Sequence, residues 1–103
     1  MNFKLDRKAN VNGTSFHDVE IRRGFDDLVA LLGKPHYCND PGDKVRYEWL
    51  FISDDGRGVT LYDWKSYSDK PNIWHVGGMT EDITVSFKEW FESGFWQTEQ
   101  KSE

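Results

Sequence analysis

Cysteine is almost missing from this chain. Cys38 stands alone, which excludes an internal disulfide and makes a reducing compartment the simplest expectation. Long apolar runs are missing too: no stretch approaches the roughly 20 residues that span a bilayer. The opening Met1-Asn2-Phe3-Lys4-Leu5-Asp6 lacks the apolar centre of a secretory signal. A cytoplasmic protein with no membrane partner is therefore expected. Basic residues are in deficit, 13 against 18 acidic, for a net charge of −5. A basic surface supplies most of the affinity for a phosphate backbone, so direct nucleic-acid binding is not expected. The Lys and Arg residues are interspersed with the carboxylates, which suits a solvated acidic surface better than a polyanion mimic. There is no internal repeat, no Walker-type phosphate loop and no dinucleotide fingerprint.

Aromatic bulk is what the chain has instead. Aromatics make up 16% of 103 residues and include five Trp, although the hydrophobic fraction is only 37%. The core is expected to consist of few, large side chains, each contributing about 1.5–3 kcal/mol when buried. The length suits one domain, expected over residues 1–96, with a C-terminal tail at 97–103 that should fray.

Phe3 and Leu5 alternate with polar neighbours, as in a short edge strand. Asn12-Gly13 signals a tight turn, and Val19 and Ile21 alternate in the strand that follows. Phe25, Leu28, Val29 and Leu32 fall on one helical face; Asp26 and Asp27 occupy the first turn, and Gly33 and Pro35 mark the stop. Residues His36 to Lys44 read as a loop. Val45 to Ile52 and Val59 to Lys65 read as strands joined by the Gly-rich Ser53–Gly58. Ile73 to Val76 reads as a strand ending at Gly77-Gly78. A second helix starts near Thr80, with a stripe of Ile83, Phe87, Trp90 and Phe91 and a stop at Gly94. The expected fold is α+β, a short antiparallel sheet in the order β-β-α-β-β-β-α. Its last three strands form a meander, and both helices pack on one face.

Tyr47, Trp49 and Phe51 alternate with Arg46, Glu48, Leu50 and Ile52, and Thr60, Tyr62 and Trp64 with Val59, Leu61, Asp63 and Lys65. A six-residue loop sets Ile52 opposite Val59 and Leu50 opposite Leu61. The two aromatic sets then share a face, and Arg46–Asp63 and Glu48–Lys65 meet as diagonal ion pairs. A slip of one residue would scramble these sets.

Tyr62-Asp63-Trp64-Lys65 and Trp74-His75-Val76-Gly77-Gly78 are the most unusual segments. On adjacent strands Lys65, Asp63 and His75 would line a polar pocket bordered by Tyr62, Trp64 and Trp74. Such a pocket suits a small anionic or planar ligand such as a nucleotide, since Lys supplies charge, His a switchable donor and Trp a stacking plate. Gly77-Gly78, leading into a helix start, would let backbone N–H groups approach an anion. The same residues equally suit a hydrogen-bonded His and an ion pair that finish a sheet edge. A protein partner with a basic patch would meet whichever sheet face the helices leave open, either the aromatic set with Tyr62 and Trp64 as anchors or the charged end with Glu48 and Asp63.

His36, Cys38, Asp40 and Asp43 fit no zinc spacing, and Asp54-Asp55-Gly56 lacks the later Glu of a calcium loop. Neither a metal nor any other cofactor is expected. Ser15 and His17 lie two residues apart with no oxyanion motif around them. Arg22-Arg23 suits a solvated strand end. No constellation reads as an enzyme.

Gly13-Thr14-Ser15-Phe16, then Phe25 to Pro35, Tyr47-Glu48-Trp49, Thr60-Leu61-Tyr62-Asp63-Trp64-Lys65 and Trp74-His75-Val76-Gly77-Gly78 together carry a resemblance. In this order they resemble a group of small phage-encoded proteins with a GTS opening, an F/Y-x-x-L-V helix ending in G-x-P, and EW, YDWK and WHIGG strands. The likeness runs roughly from residue 13 to 92. Val76 stands where that pattern has Ile, and the loop between Lys65 and Trp74 is short. The resemblance implies a phage accessory protein acting in the host cytoplasm. It would be a non-enzymatic module that binds and disables a host defence or nucleic-acid-processing protein.

Overall fold

A computed structural model describes residues 1–94; the expected domain end at 96 and the fraying of 97–103 lie outside the described residues. Eight elements follow one another: β1 (Phe3–Leu5), β2 (Ser15–Arg22), α1 (Phe25–Leu32), β3 (Tyr37–Cys38), β4 (Tyr47–Ser53), β5 (Gly58–Tyr62), β6 (Ile73–Gly78) and α2 (Glu81–Ser93). The fold is α+β, with every strand pair antiparallel. The order across the sheet is β1-β4-β5-β6-β2, and β3 also pairs with β4. β1 meets residues Phe51–Ser53 of β4 and β3 meets Tyr47–Glu48, so two short strands share one edge. The expected meander is β4-β5-β6. The expected loop at 36–44 contains the two-residue β3.

Both helices form where amphipathic spacing and stops coincide. Asp26 and Asp27 open α1, and Glu81 and Asp82 open α2, each acidic pair meeting the positive end of its helix dipole. Gly33 follows α1, and Gly94, in the left-handed conformation, closes α2. Leu28 and Leu32 of α1 and Ile83, Phe87, Trp90 and Phe91 of α2 join one core cluster with Ile21, Trp49, Phe51, Val59, Leu61, Trp74 and Val76. The aromatics pack edge to face: Phe51 meets Phe87 at 4.8 Å and Trp49 meets Trp74 at 5.3 Å between centroids. Both indoles bury their N–H against carbonyls, Trp49 on Gly33 O at 3.1 Å and Trp74 on Arg23 O at 2.8 Å.

The β4–β5 register differs by one residue from the expected one. Phe51 lies opposite Val59, Trp49 opposite Leu61, and Glu48 opposite Tyr62. The cause is the loop. Ser53 and Arg57 still pair, with Ser53 N donating to Arg57 O and Arg57 N to Ser53 Oγ. Only Asp54-Asp55-Gly56 then forms the turn, closed by Gly56 N on Ser53 O with Gly56 at φ 87°. A three-residue loop with a left-handed glycine replaces the six-residue loop and moves the whole of β5 to the opposite face. Trp49 and Phe51 therefore face the helices with Leu61, whereas Tyr62 and Trp64 belong to the other side. Arg46 pairs with Asp69, and the Glu48 carboxylate accepts from Thr60 Oγ1, so neither expected diagonal ion pair forms. No helix among the described residues is long and apolar enough to cross a membrane.

Candidate binding face

Residues directly opposite each other in a sheet share a face. On the face away from the helices, one transverse row runs Tyr37–Glu48–Tyr62–His75–Glu20, across β3, β4, β5, β6 and β2. The next row runs Leu50–Thr60–Gly77–Phe16. Beyond it the face is closed off, because Asn10 O and the Val11 side chain lie against Gly58.

The open rows carry an aromatic cluster. The Phe16 ring stacks on His75 at 3.8 Å with the planes 10° apart, and Tyr62 meets the same imidazole edge-on at 5.6 Å. Trp64 lies two residues beyond the Tyr62–His75 pair, near-parallel to His75 at 6.5 Å. Carboxylates flank the cluster. His75 Nε2 lies 3.5 Å from Glu20 Oε2, and Glu48 stands beside Tyr62. Burial lowers the His75 pKa against the pull of Glu20, so the imidazole is neutral near pH 7. Burial, with the Glu48 carboxylate adding to it, raises that of Tyr62.

Two grooves open on this face, with Trp64 in the wall of both. One, of about 310 Å³, lies over Thr60 and Gly77, with Glu48, Tyr62 and Trp64 around it. Gly77 forms its floor by close approach: a Cβ there would sit 2.8 Å from Thr60 Cγ2 and 3.3 Å from Tyr62 Cε1. The other, of about 470 Å³, lies between Trp64, His75, Glu20, Ile73 and the 66–72 loop.

Trp64 is presented by a strained and firmly held loop. Asp63 is only 1% exposed and lies on the helix side of the sheet. Its Oδ1 accepts the backbone N–H groups of Arg46 at 2.9 Å and Tyr47 at 2.8 Å, and its Oδ2 accepts from Ser66 Oγ at 2.8 Å. Lys65 N donates to Lys44 O at 2.7 Å. Lys65 and Tyr67 both adopt the left-handed region, at φ 51° and 50°, where a side chain is disfavoured. Such strain persists only where surrounding bonds over-determine it, and it concentrates at binding sites. Trp64 emerges between those anchors 44% exposed, and Tyr67 60% exposed.

Of the residues singled out in the sequence, the structure brings Glu48, Tyr62, Trp64 and His75 together on the open face. Trp74, fully buried under the sheet, and Asp63 do not reach it. The pocket expected from Lys65, Asp63 and His75 is therefore not assembled: Tyr62 lies opposite His75 across β5 and β6, so the neighbouring Asp63 faces the other way, into the helix side. Lys65 lines neither groove, and its Nζ sits 5.5 Å over the Trp64 ring. Thr60 shared the alternation of Tyr62 and Trp64 and Gly77 stood in the segment of His75, whereas sequence reading missed Phe16 and Glu20 as members of the face. Their signal lay in the pairing of β2 with β6, which is interrupted by a bulge between Phe16 and Glu20 where Asp18 takes φ 63°.

Other candidates resolve into local structure. Ser15 Oγ lies 3.3 Å from His17 Nε2, yet that nitrogen also lies 3.1 Å from Gly78 O. A nitrogen donating to a carbonyl carries the proton and cannot take one from the serine. His36 Nδ1 accepts Leu50 N–H at 3.0 Å, and Asp40 and Asp43 close their own turn. Among the described residues no group of three or more His, Cys, Asp or Glu side chains is placed to hold a metal ion. Comparison with protein families, with curated proteins and with solved structures finds no match to this chain.

Proposed function

We propose that this chain is a non-enzymatic binding module that occupies a basic patch on another protein through its open sheet face. The observation that carries this reading is the solvent-facing cluster of Phe16, Tyr62, Trp64 and His75, flanked by Glu20 and Glu48 and left uncovered by both helices. Rigid aromatics anchor an interface at low entropic cost, and the surrounding carboxylates steer a basic partner. In the setting implied by the phage-type segments, the partner is a host defence or nucleic-acid-processing protein met in the host cytoplasm. The alternative, a small anionic ligand such as a nucleotide, fits this face less well. Glu48 lines one groove and Glu20 the other, Lys65 lies outside both, and Lys70, which lines the second, is already paired with Asp26 at 2.9 Å. The test is capture from bacterial lysate at low salt with wild type and Trp64→Ala, both confirmed folded by their melting curves. A specific protein retained by wild type and lost with Trp64→Ala is expected. Capture that is indifferent to Trp64, or no specific capture, would overturn the reading.

A further inference from the structure

Glu48 is a half-buried carboxylate without a cationic partner among the described residues. Its one hydrogen bond there comes from Thr60 Oγ1, a neutral donor. Carboxylates withdrawn from water normally meet a cation, because a neutral hydrogen bond offsets only part of the lost hydration. Asp26, Asp55, Asp69 and Asp82 each have a Lys or Arg, the buried Asp63 has three hydrogen-bond donors, and Glu20 has only the neutral imidazole of His75 at 3.5 Å. Glu48 is the carboxylate set into the groove over Thr60 and Gly77.

The walls of that groove are suited to the missing charge. Tyr62 and Trp64 supply aromatic surface, Gly77 leaves a flat floor, and no Lys, Arg or His lines it. The Trp64 ring already attracts one cation, Lys65, from outside the groove. Aromatic faces draw a cation by their quadrupole, and a planar guanidinium can stack on a ring while donating to a carboxylate. A compact ammonium satisfies the carboxylate but loses the stacking. A volume of about 310 Å³ accommodates an arginine side chain.

We infer that this groove is a receptor for an arginine side chain of the partner, with the guanidinium donating to Glu48 and lying against Tyr62 and Trp64. The inference rests on the binding-module reading and specifies where the partner's positive charge docks. The face as a whole supplies contact area, and the groove supplies selectivity for arginine over lysine.

The test is an NMR titration of the full chain with Nα-acetyl-arginine amide, and with its lysine and citrulline counterparts, up to roughly 100 mM. A ligand of this size binds in the mM range. Expected are saturating shifts at the Trp64 indole N–H and at the Thr60, Tyr62 and Gly77 amides with the arginine probe, weaker ones with lysine, and none with the neutral citrulline. Glu48→Gln, which keeps a partner for Thr60, should weaken arginine binding at least about tenfold, and Trp64→Ala should do so independently. Equal response to citrulline, lysine binding as tight as arginine, shifts centred elsewhere, no saturable shift, or indifference to Glu48→Gln would each overturn the assignment. Lysate capture separates this from the broader reading. Capture lost with Trp64→Ala but unchanged with Glu48→Gln removes the arginine site and leaves the binding module standing.

Discussion

Single residues on this chain divide sharply between those that build the sheet and those the sheet displays, and neighbours in sequence fall on opposite sides of that line. Asp63 and Trp64 are the clearest pair. Asp63 takes two backbone N–H groups and a hydroxyl, fixing the start of β4 to the end of β5. Asp63→Ala would leave the Arg46 and Tyr47 amides without acceptors beside the core, at roughly 2–5 kcal/mol. Asp63→Asn keeps an acceptor for both amides and should lose far less. Urea unfolding checks this, with a lower midpoint and an unchanged slope expected for the alanine variant. His36 gives the fold a pH dependence. Burial foremost, with Arg7 adding to it, lowers the His36 pKa below the ordinary 6.5 against the opposing pull of Asp6. Its Nδ1 must stay unprotonated to accept Leu50 N–H. The unfolded chain therefore binds the proton more readily, so stability is full above the ordinary pKa and declines as pH falls from there through the folded value. The same sign holds for His75, whose pKa is also lowered chiefly by burial. The unfolding midpoint should thus drop between about pH 7.5 and pH 5, and His36→Asn, whose Oδ1 replaces Nδ1, should drop less. A midpoint flat over that range, or a drop of equal size in His36→Asn, would show that the Leu50 contact does not set the titration.

At the scale of elements, what was legible followed from periodicity and what was not followed from turns. The stripe Ile83, Phe87, Trp90 and Phe91 repeats at helical spacing over more than two turns, so the place and the buried face of α2 could be read directly. Phe87 is fully buried and meets Phe3, Phe51, Trp90 and Phe91. Phe87→Ala should cost about 3–5 kcal/mol of unfolding free energy through the cavity left under the sheet. Calorimetry or denaturant titration checks this, and a midpoint equal to wild type would remove α2 from the core. The strands themselves were readable as alternating runs. Their register was not, because it turns on whether Ser53 and Arg57 pair across the turn, a backbone choice that hydrophobic pattern does not encode. That single step placed Asp63 inside and Tyr62 outside, on the same face as Glu48. Pairing of β2 with β6 is a contact between distant segments with a bulge in it, so the contribution of Phe16 and Glu20 had no local signature. The segments Tyr62–Lys65 and Trp74–Gly78 stood out by composition, yet each supplies alternate residues to two faces, and only half of each reaches the site.

For the whole molecule, the sheet has two unlike sides: the aromatic core and both helices lie on one, and an aromatic and acidic surface lies on the other. The net charge of −5 acts at long range on any basic partner, but its effect on association depends on where the charge sits. Glu20 flanks the aromatic row, whereas Glu89 is exposed on α2, across the sheet from it. Glu20→Lys and Glu89→Lys change the net charge by the same amount, so a purely global field would slow both alike. If docking occurs on the open face, the reversal nearer the contact acts within a Debye length of about 8–10 Å and the distant one is largely screened. Stopped-flow association with the partner recovered by Trp64-dependent capture should then show Glu20→Lys slowed by about tenfold or more at low salt and Glu89→Lys by about twofold or less. Raising the ionic strength to about 1 M should bring the three rates together, since the Debye length falls to about 3 Å. Equal slowing by the two variants would place the contact away from this face, and a rate indifferent to salt in all three would deny the acidic surface any part in encounter.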